Sequence, residues 1–154
     1  MFFGTHDNKV DRKGRVSVPA SFRAALNAPE ENAIVAFPSF TDPAIEAWPV
    51  ERMRRLQDGL DEMDQFSQEQ RDFASLIFAE ARLLNLDNEG RIVLPGQLAR
   101  HAAITERALF VGQGATFLVW EPSRYQAYKD AARERAAKGD MTIRLSPGPR
   151  PRGE

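Results

Sequence analysis

Residues 11–19 read Asp11-Arg12-Lys13-Gly14-Arg15-Val16-Ser17-Val18-Pro19, and residues 87–95 read Asp87-Asn88-Glu89-Gly90-Arg91-Ile92-Val93-Leu94-Pro95. Asp, Gly, Arg, two apolar positions and Pro keep their register, so the chain contains an internal repeat. The match runs on downstream. Phe22 aligns with Leu98, residues 33–37 resemble residues 108–111, and Trp48-Pro49-Val50-Glu51-Arg52 resembles Trp120-Glu121-Pro122-Ser123-Arg124.

Both copies follow one physical grammar. Extended stretches over residues 2–10 and 78–86 run into Asp-x-x-Gly, where Asp suits the first position of a tight turn and Gly its left-handed position. This local pattern predicts a hairpin in each copy. Beyond the turn, Val16 and Val18 alternate with Arg15 and Ser17, so one strand face is apolar and the other carries a guanidinium. Pro19 and Pro95 suit a first helical turn, which predicts a short helix after each strand. Two further strands should close each unit at Trp48 and Trp120, with helices starting at Pro49 and Pro122. Gly112-Gln113-Gly114 separates two apolar runs and reads as a hairpin turn. Between the copies, Val50, Met53, Leu56, Leu60 and Met63 recur at helical spacing among charges, the mark of an amphipathic helix. Tyr125, Tyr128, Ala132 and Ala136 share one face of a last helix, which should end near Gly139. The Pro- and Gly-rich stretch beyond Ser146 is expected to form a mobile basic tail.

Composition bounds the function. The 154 residues are 42% hydrophobic and include ten phenylalanines, enough for a folded core. No cysteine is present, which excludes disulfides and thiolate chemistry. The start of the chain lacks the pattern of a secretory leader, and residues 108–120, the longest uncharged stretch, are too short to span a bilayer. A cytoplasmic protein without membrane partners is the expectation. Net charge is −1, from 21 basic and 22 acidic residues, which at first argues against nucleic acid. The charge is segregated, however. Residues 1–29 hold Lys9, Arg12, Lys13, Arg15 and Arg23 against Asp7 and Asp11, whereas residues 51–72 hold seven acids and four arginines.

The Asp11–Arg15 and Asp87–Arg91 pairs have a structural reading, in which a carboxylate caps the turn, and a functional one. Asp11, Gly14, Asp87 and Gly90 are assigned to the turn framework. Arg15 could pair with Asp11 and still present donors to a phosphate or a guanine. Arg12, Lys13, Arg23 and Lys9 form the cluster expected of phosphate contacts. Trp48, Trp120, Tyr125 and Tyr128 read as packing residues before they read as base-stacking ones. His6 and His101 lack metal-ligand spacing, and no Ser-His-Asp or Cys-His constellation is available, so neither metal, cofactor nor enzymatic activity is expected.

The two segments DRKGRVSVPASFR and DNEGRIVLPGQLARHAAI, with MFFG at the N-terminus, resemble the two halves of MraZ-family proteins, bacterial relatives of the AbrB-type transition-state regulators. The resemblance covers about residues 1–140. It implies an α+β fold of tandem swapped-hairpin AbrB-like β-barrel repeats forming a pseudo-dimer, with flanking helices. The corresponding divisions are residues 5–51 and 77–123 for the repeats, 52–76 for a helical connector, 124–138 for the C-terminal helix and 139–154 for the tail. It further implies a ring-shaped homo-oligomer, an octamer being one such ring, bound to double-stranded DNA at the nucleoid. The sites implied are tandem promoter repeats upstream of the division and cell wall gene cluster, and repression is the favoured mode. By the same resemblance Arg15 and Arg23 fall where such proteins place DNA-contacting arginines. In the second copy Arg91 is kept, but Asn88 and Glu89 replace Arg12 and Lys13. Ala99 stands in the place of Arg23, with Arg100 one position later. An antitoxin-like protein-interaction module is the alternative, and an enzyme on a related barrel a more distant one.

Overall fold

The computed structural model describes residues 1–26, 32–139 and 141–149. Each half contributes four strands and one short helix. The first half holds β1 (Thr5–Lys9), β2 (Arg15–Ser17), α1 (Ala20–Ala25), β3 (Ala33–Pro38) and β4 (Ile45–Pro49). The connector holds α2 (Val50–Asp61) and α3 (Gln68–Phe73), the latter continuing into a π-helical turn at Ala74–Phe78. The second half repeats the order with β5 (Arg82–Asn85), β6 (Arg91–Val93), α4 (Gly96–His101), β7 (Arg107–Gly112) and β8 (Phe117–Trp120), and α5 (Pro122–Ala137) follows.

Pairing shows how the two halves interlock. Six strands form an antiparallel sheet in the order β1-β7-β8-β4-β3-β5, and β2 pairs with β6 in a separate ribbon. Exchanging every first-half strand for its second-half counterpart reverses that order and changes nothing else, so the sheet has a pseudo-dyad at the β4–β8 pair. The ribbon has one too: Val16 faces Ile92, while Arg15 faces Val93 and Ser17 faces Arg91. This is the tandem swapped-hairpin pseudo-dimer of an α+β protein.

The simple local hairpins are therefore corrected. Both turns form, since the Gly14 N–H donates to the Asp11 carbonyl at 3.0 Å and the Gly90 N–H to that of Asp87 at 3.0 Å. After the turn, however, each pair of strands parts. β1 pairs with β7 and β5 with β3, so each strand's ladder is completed by the other half. Apolar burial explains the exchange. Val16, Val18, Ile92 and Leu94 of the ribbon side share one core with Ile34, Phe110, Phe117 and Val119 of the sheet. At its centre Phe22 packs against Phe2, His6, Phe110 and Phe117, with ring centroids 5.0–6.5 Å apart. Such aromatic pairs add about 0.5–1.5 kcal/mol each beyond area burial.

Gly112 fixes the N-terminal strand. A Cβ there would collide with the Phe3 backbone, and the close approach lets Phe2 and Gly114 exchange backbone hydrogen bonds of 2.7 and 2.8 Å. The turn after Gly112 joins β7 to β8 as a hairpin.

The expected extended stretch at 78–86 is shorter than its sequence suggested. Phe78 ends the π-helical turn, because Phe73, Ile77 and Phe78 pack with Met53 and Phe37 in a core between connector and sheet. The amphipathic helix is α2, with Met53 and Leu60 buried. α5 starts against the body, with Trp120 5.7 Å from the Tyr125 ring and 5.1 Å from Tyr128. From residue 133 onward it is exposed, Ala136 included. Of the expected tail, residues 140 and 150–154 lie outside the described residues, while residues 141–149 are exposed and take neither helix nor strand. Among the described residues no helix is long and apolar enough to cross a membrane.

Candidate nucleic-acid interface

In each turn one carboxylate holds three donors. Asp11 Oδ1 accepts the backbone N–H groups of Lys13 and Arg15, both at 2.9 Å, and Oδ2 accepts Arg15 Nε at 2.7 Å. Asp87 does the same for Glu89 and Arg91, each bond being 2.9 Å. Aspartate is short enough to close this Asx turn on its own backbone. The hydrogen bonds from the arginine backbone, then those from the arginine side chain, hold both carboxyls below their ordinary values. The Asp87 bond correspondingly raises the Arg91 guanidinium. Both aspartates are thus anionic acceptors in mild conditions, which suits a scaffold and not a general acid.

The same bonds aim the arginines. Nε is taken up by the aspartate in both cases, and Arg15 and Arg91 lie on the outward face of the ribbon, whose inward face is Val16 and Ile92. Their side chains remain 34% and 28% accessible, so guanidinium surface is left for another acceptor. Arg91 spends part of it on Glu89, at 3.5 Å. Asn8 reinforces the platform, its side-chain amide donating to the Ser17 carbonyl at 2.7 Å.

The remaining basic residues fall in three places. Arg12 and Lys13 are exposed at the first turn. Lys9 and Arg12 border a cleft of about 610 Å³ where the end of β1 meets the start of β7. Arg107 lines it as well and donates to Asp7 at 2.7 Å. Sequence reasoning missed Arg107, since only the β1–β7 register puts it opposite Lys9.

Arg23 requires a correction, because the sequence grouped it with the first turn. Its guanidinium donates to the Val18 carbonyl and lies over Gly90, where a Cβ would stand 2.6 Å from it. The helix of the first copy therefore brings its charge to the turn of the second. Arg100 does not mirror it, as its guanidinium lies back over Gly96 of its own helix. Trp120 is buried and Trp48 is half-buried against Phe37, so both serve packing.

Comparison with known proteins gives this platform a context. The family described as "MraZ protein, putative antitoxin-like" matches the chain twice, over residues 1–76 and 77–144. The chain belongs to the MraZ family. Its similar relatives include the Transcriptional regulator MraZ of Gluconobacter oxydans, 46% identical over 139 residues that cover 88% of this chain and 85% of the relative. That of Pelagibacter ubique is 43% identical over 88% of both chains. That of Rickettsia canadensis is 38% identical over 94% of this chain and 97% of its own. These names place the MraZ family among transcriptional regulators and not among enzymes. The two family matches meet between residues 76 and 77, inside the π-helical turn that precedes β5, so each match holds four of the strands.

Proposed function

We propose that the protein is a sequence-specific regulator of transcription that binds double-stranded DNA through the outward face of the β2–β6 ribbon and its two turns. One observation carries this reading: the two Asp–Arg pairs place Arg15 and Arg91 symmetrically on the outward face of the ribbon, each with Nε locked and its side chain partly accessible. A guanidinium held in this way presents a prepaid geometry to guanine or phosphate. Arg12, Lys13 and Lys9 supply phosphate contacts beside the first turn and Arg23 beside the second, with lesser parts for Arg91 and Arg100. Phosphate contacts orient the protein without reading sequence, so base discrimination rests on few residues.

In this reading residues 5–51 and 77–123 are the DNA-facing units, 52–76 the connector, 124–138 a flanking helix and 139–154 a tail. The sites are tandem short repeats upstream of the division and cell wall gene cluster, the protein's own promoter included. The protein acts there as a repressor and as a ring-shaped homo-oligomer in the cytoplasm at the nucleoid. A single chain offers a small basic surface. Linked copies on evenly spaced repeats raise the effective concentration, and with it the avidity, by about 10²–10⁴.

The test is gel retardation on the DNA upstream of the protein's own gene, varying repeat number and salt. Affinity is expected to climb with repeat number and to fall steeply with salt. Flat dependence on both, together with a stable co-purifying protein, would instead support an antitoxin-like interaction module.

A further inference from the structure

The outer face of the sheet is covered differently on the two sides of the pseudo-dyad. At the middle rung of the β4–β8 pair Glu46 stands opposite Leu118, so the symmetry exchanges a carboxylate for an aliphatic side chain. On the Leu118 side Val111 and Trp120 are buried in a closed cluster with Tyr125 against it. On the Glu46 side, α2, α3 and the π-helical turn leave a cavity of about 360 Å³. Four aromatic side chains wall it, those of Phe37, Phe40, Trp48 and Phe73, and the Met63 side chain lines it too. Phe37 stands edge-on to Trp48 at 5.5 Å, and Phe40 is tilted against Phe73 at 6.5 Å.

Glu46 is the one charged side chain lining this cavity among the described residues. Among the described residues its carboxylate accepts one long hydrogen bond, 3.4 Å from Trp48 Nε1. Burial, and the nearby charge of Asp42, push its carboxyl up from the ordinary value. A carboxylate in apolar surroundings with so little compensation disfavours the fold, and Leu118 shows that the equivalent position accepts an aliphatic residue. The protein already seats one cation on this aromatic wall. The guanidinium of Arg52, which does not line the cavity, lies 5.0 Å from the centre of the Trp48 ring.

We propose that this cavity is a binding site for a small organic cation, an alkylammonium group carried on an apolar body. The ammonium sits between the Glu46 carboxylate and the aromatic rings, and the apolar body fills the rest. The volume lies in the range of small-molecule sites, and an aromatic cage with one acid is the arrangement that recognises alkylated ammonium groups. The site stands apart from the DNA-facing ribbon and does not depend on that reading.

The experiment is calorimetric titration of the full-length protein with benzyltrimethylammonium, alongside NMR of protein labelled at its methionine methyl groups. The expected result is one site per chain, shifts at Met63, about tenfold weaker binding to Glu46→Gln and none to Glu46→Leu. Phenylacetate, an anion of similar apolar body, is expected not to bind. A melting temperature of Glu46→Gln at or above that of the wild type separates a lost ligand contact from a lost fold. Equal affinity of wild type and Glu46→Gln would overturn the proposal. So would equal binding of phenylacetate, or a Met63 signal that responds to dilution of the protein and not to the probe, which would mean that a second copy covers the cavity.

Discussion

The first and second turns are built alike and charged differently. Asp11 and Asp87 make the same three hydrogen bonds, Gly14 and Gly90 take φ of 79° and 76°, and the backbone bonds that close the turns match to within a tenth of an ångström. Yet the tip of one is Arg12-Lys13 and that of the other Asn88-Glu89, and only the second is covered by an arginine from a helix of the opposite copy. What the backbone geometry requires is held in both copies. Positions that geometry leaves free have diverged, and the charge of each turn is set by both copies together.

The largest difference between the halves is expected in the core. Phe22 and Leu98 are aligned and both buried, but Phe22 contacts four other rings. Phe22→Ala is expected to cost about 3–5 kcal/mol and Leu98→Ala about 2–5 kcal/mol in urea unfolding. A smaller loss for Phe22→Ala would mean that the two copies contribute to the core in a way the ring contacts do not describe.

At the proposed interface, replacing Arg12 and Lys13 together by alanine is expected to weaken DNA binding across all sequences. It should also reduce the slope of log affinity against log salt by about 1.8, from about 0.9 per phosphate contact. Replacing Asn88 and Glu89 by alanine should leave the slope unchanged or steepen it. Equal losses from both pairs would show that the turns are functionally equivalent despite their charges.

The turn glycines give a finer test. Gly14→Ala forces a residue with a side chain into the left-handed region, at about 1–2 kcal/mol. Gly90→Ala carries the same strain and also displaces Arg23 from the Val18 carbonyl, adding about 0.5–1.5 kcal/mol. Chemical denaturation should show this excess vanishing in an Arg23→Ala background. Additive losses would remove Arg23 from the second turn.

The smallest effect is the pH response of the two aspartates, and it should be the same for both. Their folded pKa values lie below the ordinary value of an aspartate carboxyl. The stability they contribute is therefore fully present above about pH 4 and is lost as pH falls through the folded value. In acid titrations of melting temperature, Asp11→Asn and Asp87→Asn should each flatten the same part of the curve. An unequal pair would show that the shared bonds carry unequal weight.

Much of this molecule was legible because a repeat prints its framework twice. Asp, Gly and Arg at matched spacing revealed the turns, and Pro19, Pro49, Pro95 and Pro122 marked helix starts. Strand partners were not legible from residues, since alternation of Val16 and Val18 says which face is buried and nothing about which edge is paired. Their exchange came from the family resemblance alone. The same blindness misplaced Arg23, which is near the first turn in sequence and over the second in space, and hid Arg107, whose neighbour Lys9 lies on a strand far away in the chain. Phe78 was read as strand because it stands in the second copy where Phe2 stands in the first, whereas packing against the connector and sheet puts it in the π-helical turn.

The strand exchange has a consequence for how the chain is made. β1 has no pairing partner until β7 has been synthesised, and β2 waits in the same way for β6. Through most of translation the emerging half therefore carries unsatisfied ladders, which invite a wrong partner. Another nascent chain on the same messenger offers the same complementary edges. Contacts of such long sequence separation also make folding slow, so the interval in which two chains could trade halves is set by the rate of elongation.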